Sequence, residues 1–335
     1  MTAWDDLLEE FRALGGTAEN IRLGHGPFGR GIFPVDPAKP VAIQIPDNLL
    51  VASKDMVFVN GVPRVGPAAS VNDRERAWLD RYQQDFAWSG GGGGDEIKRL
   101  YEMAGELSAE LRALLFTKYV CGFWFAEPTD ELLQQRYFQT RTITHPKRRL
   151  SVVMPLIEMV NHGEGSRYDL SAGVALRGSF PGEVLVQYAD LDSFDFFRQW
   201  GIVTPCPAAF SLAIQGKIGA TPLHIGQDFN ARVTSERVWI PDLSKQDGIV
   251  RLPFLLIGNG KAPRLPKGIF YRLMRDAGYK GFEESFDMIC HTNRLHFLTL
   301  LEELEPFDLP IARMLRSVAV YQLRAMSFCF GVREI

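Results

Sequence analysis

Two strongly hydrogen-bonding side chains, Asn161 and His162, end an apolar run in VVMPLIEMVNHG, residues 152–163. An amide and an imidazole both donate and accept hydrogen bonds, so the pair could hold a polar ligand at the mouth of a buried segment. Asparagine also favours turns, so Asn161 could simply begin a loop, with His162 a satisfied surface histidine. The segment by itself leaves both interpretations open.

A glycine-rich segment lies near the start of the chain, IRLGHGPFGRGIFPV at residues 21–35. Its pattern predicts a strand, a glycine turn and a second strand. Around Arg30, the absence of side chains at Gly29 and Gly31 would let the backbone approach a ligand and offer its amides. A tight hairpin without a ligand is the alternative interpretation.

A third segment of interest is GEVLVQY, which predicts a strand that ends in Tyr188. It is followed by SFDFFRQWGIV, which predicts a short helix or turn with a dense aromatic patch that includes Phe196 and Trp200. A core tyrosine at a strand end and ordinary aromatic packing are the alternatives to a functional role.

The N-terminal half that must position these residues alternates between strand and helix patterns. Apolar spacing predicts a helix over 3–14, and KPVAIQIP predicts a half-buried strand ended by Pro46. Helical spacing follows over 72–88 and over 95–118, with Asp95 as N-cap of the second helix. The SGGGGG run between them, residues 89–94, is expected to be a flexible surface joint.

A third helix is expected over about 129–140, and strand patterns return after position 150. Residues 208–257 are mostly strand-like, and the chain is helical from 266 onward. The fold class is therefore predicted to be α+β, with a β core interrupted by helices and followed by a mainly α-helical C-terminal region.

Composition restricts the class of function. The 335 residues carry a formal net charge of −3, so nucleic acid is not expected as the main partner. Four separated cysteines and scattered histidines suggest neither a metal site nor a disulfide framework. The acidic N-terminus is unlike a signal peptide, and no apolar run is long enough to span a membrane. We expect a cytoplasmic protein without a membrane partner.

In their order and spacing, the segments GRGIF, IQIP, MPLIEMVNH, GEVLVQY and WGI resemble the SET-domain methyltransferases. The resemblance is closest to the branch typified by plant Rubisco large-subunit lysine methyltransferases, which also includes a histidine methyltransferase of actin. It implies a SET-type core of small sheets with a pseudoknot, split by a helical insertion. The implied parts are an N-terminal helix (1–20), the first part of the core (21–71), the insertion (72–149), the second part of the core (150–205), and a C-terminal domain of strands then helices (206–335).

The resemblance also implies a cofactor, S-adenosylmethionine, and the residues that hold it. Asn161 and His162 would be buried in the pseudoknot, where they help to bind the cofactor together with Gly29, Arg30 and Gly31. Arg141 would pair with the cofactor carboxylate, because a guanidinium matches a carboxylate bidentately. Arg136 is the competing candidate, because the length of the insertion varies in the family.

The same resemblance makes Tyr188 the catalytic tyrosine, and Phe196 and Trp200 the walls of a substrate channel. The implied reaction is N-methylation of a protein side chain, lysine or histidine. Trp200 stands where the family usually has tyrosine, Glu158 where it has aspartate, and Asp192-Ser193 where a Ser-Asn pair is expected. These departures keep two alternatives open: an enzyme acting on a small molecule or peptide, and a non-catalytic binding module.

Overall fold

The computed structural model describes residues 2–88, 92–119, 129–145, 147–163, 165–171, 173–228, 231–232 and 239–327. The chain divides into two compact units. The first comprises Met1–Arg99 and Pro128–Tyr188, and the second comprises Leu100–Glu127 and Ala189–Ile335. Small sheets and helices are mixed, and the C-terminal region is helical. The predicted α+β class is confirmed.

The N-terminal helix of the first unit, α1 (Ala3–Ala13), forms where its apolar spacing predicts it. Thr2 caps the helix in a reciprocal pair with Asp5, which satisfies backbone groups that the first turn leaves unpaired. One face is buried, and the chain turns away at Gly15, whose φ of 93° suits glycine. The buried residues are Trp4, Leu7, Leu8 and Phe11.

A three-stranded antiparallel sheet of the first unit contains β1 (Thr17–Glu19), β4 (Val41–Ile45) and β10 (Val174–Gly178), in the order β1-β4-β10. In β4 the alternate residues Val41, Ile43 and Ile45 are buried, as the sequence alternation predicts. Because β4 precedes the helical segments and β10 follows them, the chain leaves this sheet and later returns to it.

Four further strand pairs belong to the first unit. Three are antiparallel: β2 (Ile21–Gly26) with β3 (Gly29–Pro34), β5 (Met56–Val59) with β6 (Val62–Val65), and β7 (Thr142–Thr144) with β8 (Ser151–Val153). The fourth is a parallel pair of two-residue strands, β9 (Asn161–His162) and β11 (Leu185–Val186). A single bridge between Ala52 and Val152 also joins segments from either side of the helices.

Helices α2 (Asp73–Tyr82), with a π-helical turn at Gln83–Ala87, and α5 (Asp130–Arg141) agree with the predicted helices at 72–88 and 129–140. The single helix expected over 95–118 is wrong. It is two helices, α3 (Gly93–Gly105) and α4 (Ala109–Tyr119). The break occurs where the Ser108 hydroxyl accepts from the Leu111 amide, which starts a new helix.

The prediction for Asp95 and the glycine run also needs correction. Helix α3 begins at Gly93, so Asp95 lies inside its first turn and is not the N-cap. Residues 89–91 lie outside the described residues, but Gly92, Gly93 and Gly94 are buried and are not a surface joint. A Cβ atom on Gly92 would lie only 1.9 Å from the Ala87 carbonyl oxygen, so this close packing requires glycine.

The second unit contains the remaining elements. Strands β12 (Ala208–Phe210) and β17 (Leu256–Asn259) pair, and a four-stranded sheet has the order β13-β14-β16-β15. Its strands are Ile214–Ile218, Thr221–Ile225, Ile249–Leu252 and Ser244–Gln246, in that order. Helices α6 (Ser193–Trp200), α7 (Leu265–Asp276), α8 (Ser285–Leu304) and α9 (Pro310–Ser327) complete the described part. Much of the strand-like segment near 232–238 lies outside the described residues. Along the ranges described here, no helix has both the length and the apolarity needed to cross a membrane.

Candidate active site

The glycine-rich segment forms a β-hairpin in which Gly29 and Gly31 are the first and third residues of β3. Gly29 pairs with Gly26 and Gly31 pairs with Gly24, so the turn itself lies at positions 27–28. The strand–turn–strand prediction is therefore confirmed, but Gly29 and Gly31 are strand residues and not a loop. Gly29 has a φ of 89°, a conformation in which glycine is favoured.

Asn161 lies against this hairpin. Its Nδ2 atom donates to the Arg30 carbonyl oxygen at 3.1 Å and to Glu183 Oε1 at 2.6 Å. A Cβ atom on Gly31 would lie 2.4 Å from Glu183 Oε1 and 2.8 Å from Asn161 Nδ2. Gly31 is therefore needed for contact with these two side chains. Within the described part of the chain, Asn161 Oδ1 accepts no hydrogen bond, so it can receive one from a ligand.

The expectation that Asn161 and His162 are buried is wrong, because both are only half-buried. Among the described strands, β9 pairs only with β11, so one side of β9 is not covered by a described strand. The pair still has the hydrogen-bonding partners that a ligand-binding segment needs: Asn161 contacts the hairpin, and His162 Nδ1 accepts from the Tyr188 amide at 3.4 Å.

Glu183 is a site residue that the sequence reasoning missed. Its Oε2 atom is buried without a hydrogen-bond partner among the described residues, while Oε1 holds Asn161. The residue stands in the quoted GEVLVQY run, but its contacts are with Asn161 and the glycines of the hairpin. Strand periodicity alone does not reveal such contacts.

Tyr188 lies two residues beyond β11, and not at the strand end as predicted. Its ring centroid is 5.3 Å from that of His162, and its hydroxyl donates to the Val160 carbonyl oxygen at 2.7 Å. Burial raises the pKa of Tyr188 to about 12, although the positive charge of Arg141 opposes the shift. The hydroxyl is therefore protonated at neutral pH, with its proton donated to Val160, and it is not a ready base.

Arg141, at the C-terminal end of α5, reaches the same region. Its Nη1 atom donates to the Glu158 carbonyl oxygen at 2.7 Å, and its Nη2 atom is 3.8 Å from Glu96 Oε2. The guanidinium lies against Gly93, where a Cβ atom would be 2.3 Å from Nη2. Arg136 is instead fully buried and donates to Gln139 Oε1 at 2.9 Å. In the described contacts, Arg141 reaches the segment just before Asn161, whereas Arg136 bonds Gln139 within its own helix.

A second guanidinium, that of Arg30, lies close to Arg141 and donates to the Ala87 carbonyl oxygen at 2.9 Å. Burial lowers the pKa of Arg30, and the positive charge of Arg141 lowers it further. The two neighbouring guanidinium groups, of which that of Arg30 is partly buried, repel each other. They favour an anionic ligand, because a carboxylate would offset this repulsion.

Glu158 is the second residue that the sequence reasoning left without a role. Its side chain is 4% exposed, and Gln83 Nε2 donates to its Oε1 atom at 2.8 Å. Burial raises its pKa to about 7, against the lowering effects of Arg141, Tyr82, Gln83 and Arg30. A carboxyl group that exchanges its proton near neutral pH therefore lies close enough to Arg141 for the two charges to interact.

Phe196 and Trp200 belong to the second unit, on helix α6. Their ring centroids are 5.4 Å apart, and Phe196 is buried. Asp192 caps this helix by accepting from the Asp195 amide at 2.8 Å, and its other carboxylate oxygen accepts from the Phe210 amide of β12 at 2.8 Å. The role of Phe196 and Trp200 as channel walls remains a prediction, whereas Asp192 has a structural role as a helix cap.

No group of three or more His, Cys, Asp or Glu residues in the described ranges is arranged to hold a metal ion. The chemistry available is that of guanidinium groups, one amide acceptor, a protonated phenol and backbone groups of the hairpin. This set suits a ligand with an amino-acid moiety, because guanidinium groups match a carboxylate and an amide oxygen accepts from an ammonium group.

Comparison with known proteins gives structural neighbours only. No family model matches the chain, and no curated protein matches it. A solved structure of the SET domain of LSMT bound to lysine and AdoHcy is similar, with 14% identity, a TM-score of 0.46, and coverage of 98% of this chain and 90% of that chain. Rubisco LSMT bound to AdoMet is similar at 12% identity and a TM-score of 0.44, with the same coverage.

Proposed function

We propose that this protein is a SET-type methyltransferase that uses S-adenosylmethionine to methylate a nitrogen of a protein side chain, lysine or histidine. The observation that supports it is the convergence, within one unit, of the Gly29–Gly31 hairpin, Arg141, Asn161-His162 and Tyr188. These segments are distant in sequence but are linked by hydrogen bonds from Asn161 to Arg30, from Arg141 to Glu158 and from Tyr188 to His162 and Val160.

In this proposal the cofactor supplies an activated methyl group on a sulfonium, and the protein positions both reactants. Arg141 holds the cofactor carboxylate bidentately, and Asn161 Oδ1 accepts from its ammonium group. Arg30 adds positive charge beside Arg141, and the glycine hairpin offers backbone groups close to the ligand. Holding the reactants in line and excluding water provides most of the rate enhancement.

Tyr188 acts as a positioning group in the transfer, because its hydroxyl proton is donated to the Val160 carbonyl oxygen and its oxygen can accept from an N–H of the acceptor. An unshifted lysine has a pKa near 10.4, so an amine acceptor must lose a proton before it attacks. The Tyr188 hydroxyl is already protonated at neutral pH, so it does not take up the proton of the amine acceptor. The amine proton passes to water, while the Tyr188 hydroxyl orients the acceptor nitrogen. Aromatic faces such as those of Phe196 and Trp200 favour an alkylammonium or a flat ring.

The cofactor assignment is tested by calorimetry with S-adenosylhomocysteine, the product of methyl transfer. We expect the wild type to bind it and Arg141→Lys to bind at least tenfold more weakly, because lysine cannot form the bidentate pair. Arg136→Lys is the matched control and should keep its affinity while losing stability, because Arg136 is fully buried. Absence of binding to the folded wild type would overturn the proposal.

The acceptor is tested by incubation with methyl-labelled S-adenosylmethionine and a cell extract separated by mass. Label in protein fractions supports the proposed substrate class. Label only in low-mass fractions would favour a small-molecule acceptor, an alternative motivated by Trp200 in the place of a tyrosine. Cofactor binding without transfer to any fraction would favour a non-catalytic binding module.

A further inference from the structure

Glu158 is a buried carboxyl group on the chain segment that fixes Arg141. The main-chain oxygen of Glu158 accepts from Arg141 Nη1 at 2.7 Å, and its side chain points into the protein, where it is 4% exposed. The residue therefore touches Arg141 through the backbone and influences it electrostatically through the carboxyl group.

The surroundings of this carboxyl group provide few partners for a negative charge. From the helical segment 73–87 it faces Tyr82 and Gln83, and from α5 it faces Tyr137 and Arg141. Arg30, on β3, is the remaining cation that acts on it. Glu158 Oε2 and Gln83 Oε1 both lack hydrogen-bond partners among the described residues. A proton on Glu158 would remove the buried charge and add a donor to a cluster with unpaired acceptors.

Arg141 and Arg30 are therefore the main counter-charges of Glu158, and they are also the groups that suit an anionic ligand. A ligand carboxylate placed on Arg141 would bring a second negative charge toward Glu158. A nearby like charge favours the neutral form of a carboxyl group. The two negative charges compete for the same guanidinium, and protonation of one relieves the competition.

We propose that Glu158 is a positioning residue for Arg141 and takes up a proton when a ligand carboxylate binds to that arginine. The inference rests on the proposed function, since S-adenosylmethionine and S-adenosylhomocysteine both carry such a carboxylate. Binding and protonation are linked reciprocally, so the protonated protein binds the ligand more tightly. Because the pKa of Glu158 is about 7 before binding, affinity falls as the pH rises above 7, by up to about tenfold per pH unit.

Proton uptake is measured by calorimetry of S-adenosylhomocysteine binding at pH 7.5, in buffers that differ in ionisation enthalpy. The ligand's own amino group also titrates, but it contributes equally to every variant. We expect the wild type to take up about 0.5 proton more than Glu158→Gln. Glu19→Gln, the same change at an exposed glutamate of β1, should match the wild type.

A second measurement does not depend on the folding of a variant. In the wild type at pH 7.5, the infrared band of a protonated carboxyl group should grow when S-adenosylhomocysteine is added, and should not grow with 5′-methylthioadenosine, which lacks the carboxylate. Binding with equal proton counts in the wild type and Glu158→Gln, or without the infrared change, overturns this inference alone. No binding to the wild type overturns the proposed function and this inference together.

Discussion

At the scale of single residues, the surroundings of Tyr188 define what its hydroxyl can do. The hydroxyl donates to the Val160 carbonyl oxygen, one residue before Asn161, and the Tyr188 amide donates to His162. The phenol is thereby fixed against the segment that we propose to hold the cofactor. Its pKa of about 12 keeps it protonated, which suits a group that orients an acceptor and does not remove a proton.

Tyr188→Phe keeps the ring but removes this hydroxyl. We expect turnover to fall about a hundred- to a thousandfold, the usual effect of losing one preorganised polar contact in the transition state. The affinity for S-adenosylhomocysteine should change less than threefold, roughly within 0.6 kcal/mol. Stability should fall by about 1 kcal/mol, because the Val160 oxygen loses its partner. Parallel kinetics, calorimetry and urea unfolding test this.

Tyr271→Phe is the matched control for this change. Tyr271 also donates its hydroxyl to a carbonyl oxygen, that of Glu283 at 2.6 Å, but it lies on α7 of the second unit. It should lose a similar or smaller amount of stability and retain turnover. Full turnover in Tyr188→Phe would mean that the tyrosine is only part of the core.

At the scale of elements, the start of helix α3 packs against the guanidinium group of Arg141. The buried residues Gly92 and Gly93 allow the helix to begin directly beside Arg30 and Arg141, where an added Cβ atom would contact the two guanidinium groups. A helix N-terminus also carries a partial positive charge, which adds to the preference for an anion here. We continue to propose that residues 72–149 are an insertion within the core, since β4 before it and β10 after it share one sheet.

Gly93→Ala should act on ligand binding more than on stability. The added Cβ atom would lie 2.3 Å from Arg141 Nη2, the end of a flexible side chain that can move away. We expect the affinity for S-adenosylhomocysteine to fall roughly tenfold, or about 1.4 kcal/mol, because Arg141 is displaced. Alanine is otherwise favoured in a helix, so the melting temperature should change little or rise.

The control lies in the same helix. Gly105, the last residue of α3, has no atom within 4 Å of an added Cβ, so Gly105→Ala should leave the affinity unchanged. Calorimetry on both variants measures the difference between them. Equal affinities for Gly93→Ala and the wild type would show that Arg141 does not bind the ligand from this position.

At the scale of the whole molecule, Glu158 makes stability depend on pH. Its pKa is about 7 in the folded protein, above its ordinary value of 4.5, so folding favours the protonated form. Stability contributed by this group is therefore complete below pH 4.5, is lost as the pH rises toward 7, and then stays constant. The total loss is about 3 kcal/mol, at 1.36 kcal/mol per pKa unit.

Glu158→Gln should remove this dependence. Urea unfolding of the wild type and the variant at several pH values from 4 to 8 measures it. We expect the difference in free energy of unfolding, variant minus wild type, to rise by about 3 kcal/mol over this range. A constant difference would show that the pKa of Glu158 is the same in the folded and the unfolded protein, so that burial does not raise it.

The sequence alone predicted the elements that depend on local pattern. Helix α1, strand β4, the hairpin of β2 and β3 and the helical C-terminal region all follow from spacing, turn residues and caps, which act over a few positions. The sequence also indicated Asn161, Arg141 and Tyr188, and the resemblance to SET methyltransferases gave each of them an expected role.

Only the tertiary structure decided which of these residues meet and which other groups join them. Glu183 holds Asn161 from 22 positions away, Arg141 is fixed by the Glu158 carbonyl, and the glycines thought to be a flexible joint pack against two arginines. Local propensity contains no information about such contacts, because burial and charge at one residue depend on chain segments that are distant in sequence. The burial of Glu158 behind its contact with Arg141, which raises the pKa of its carboxyl group, is one such property.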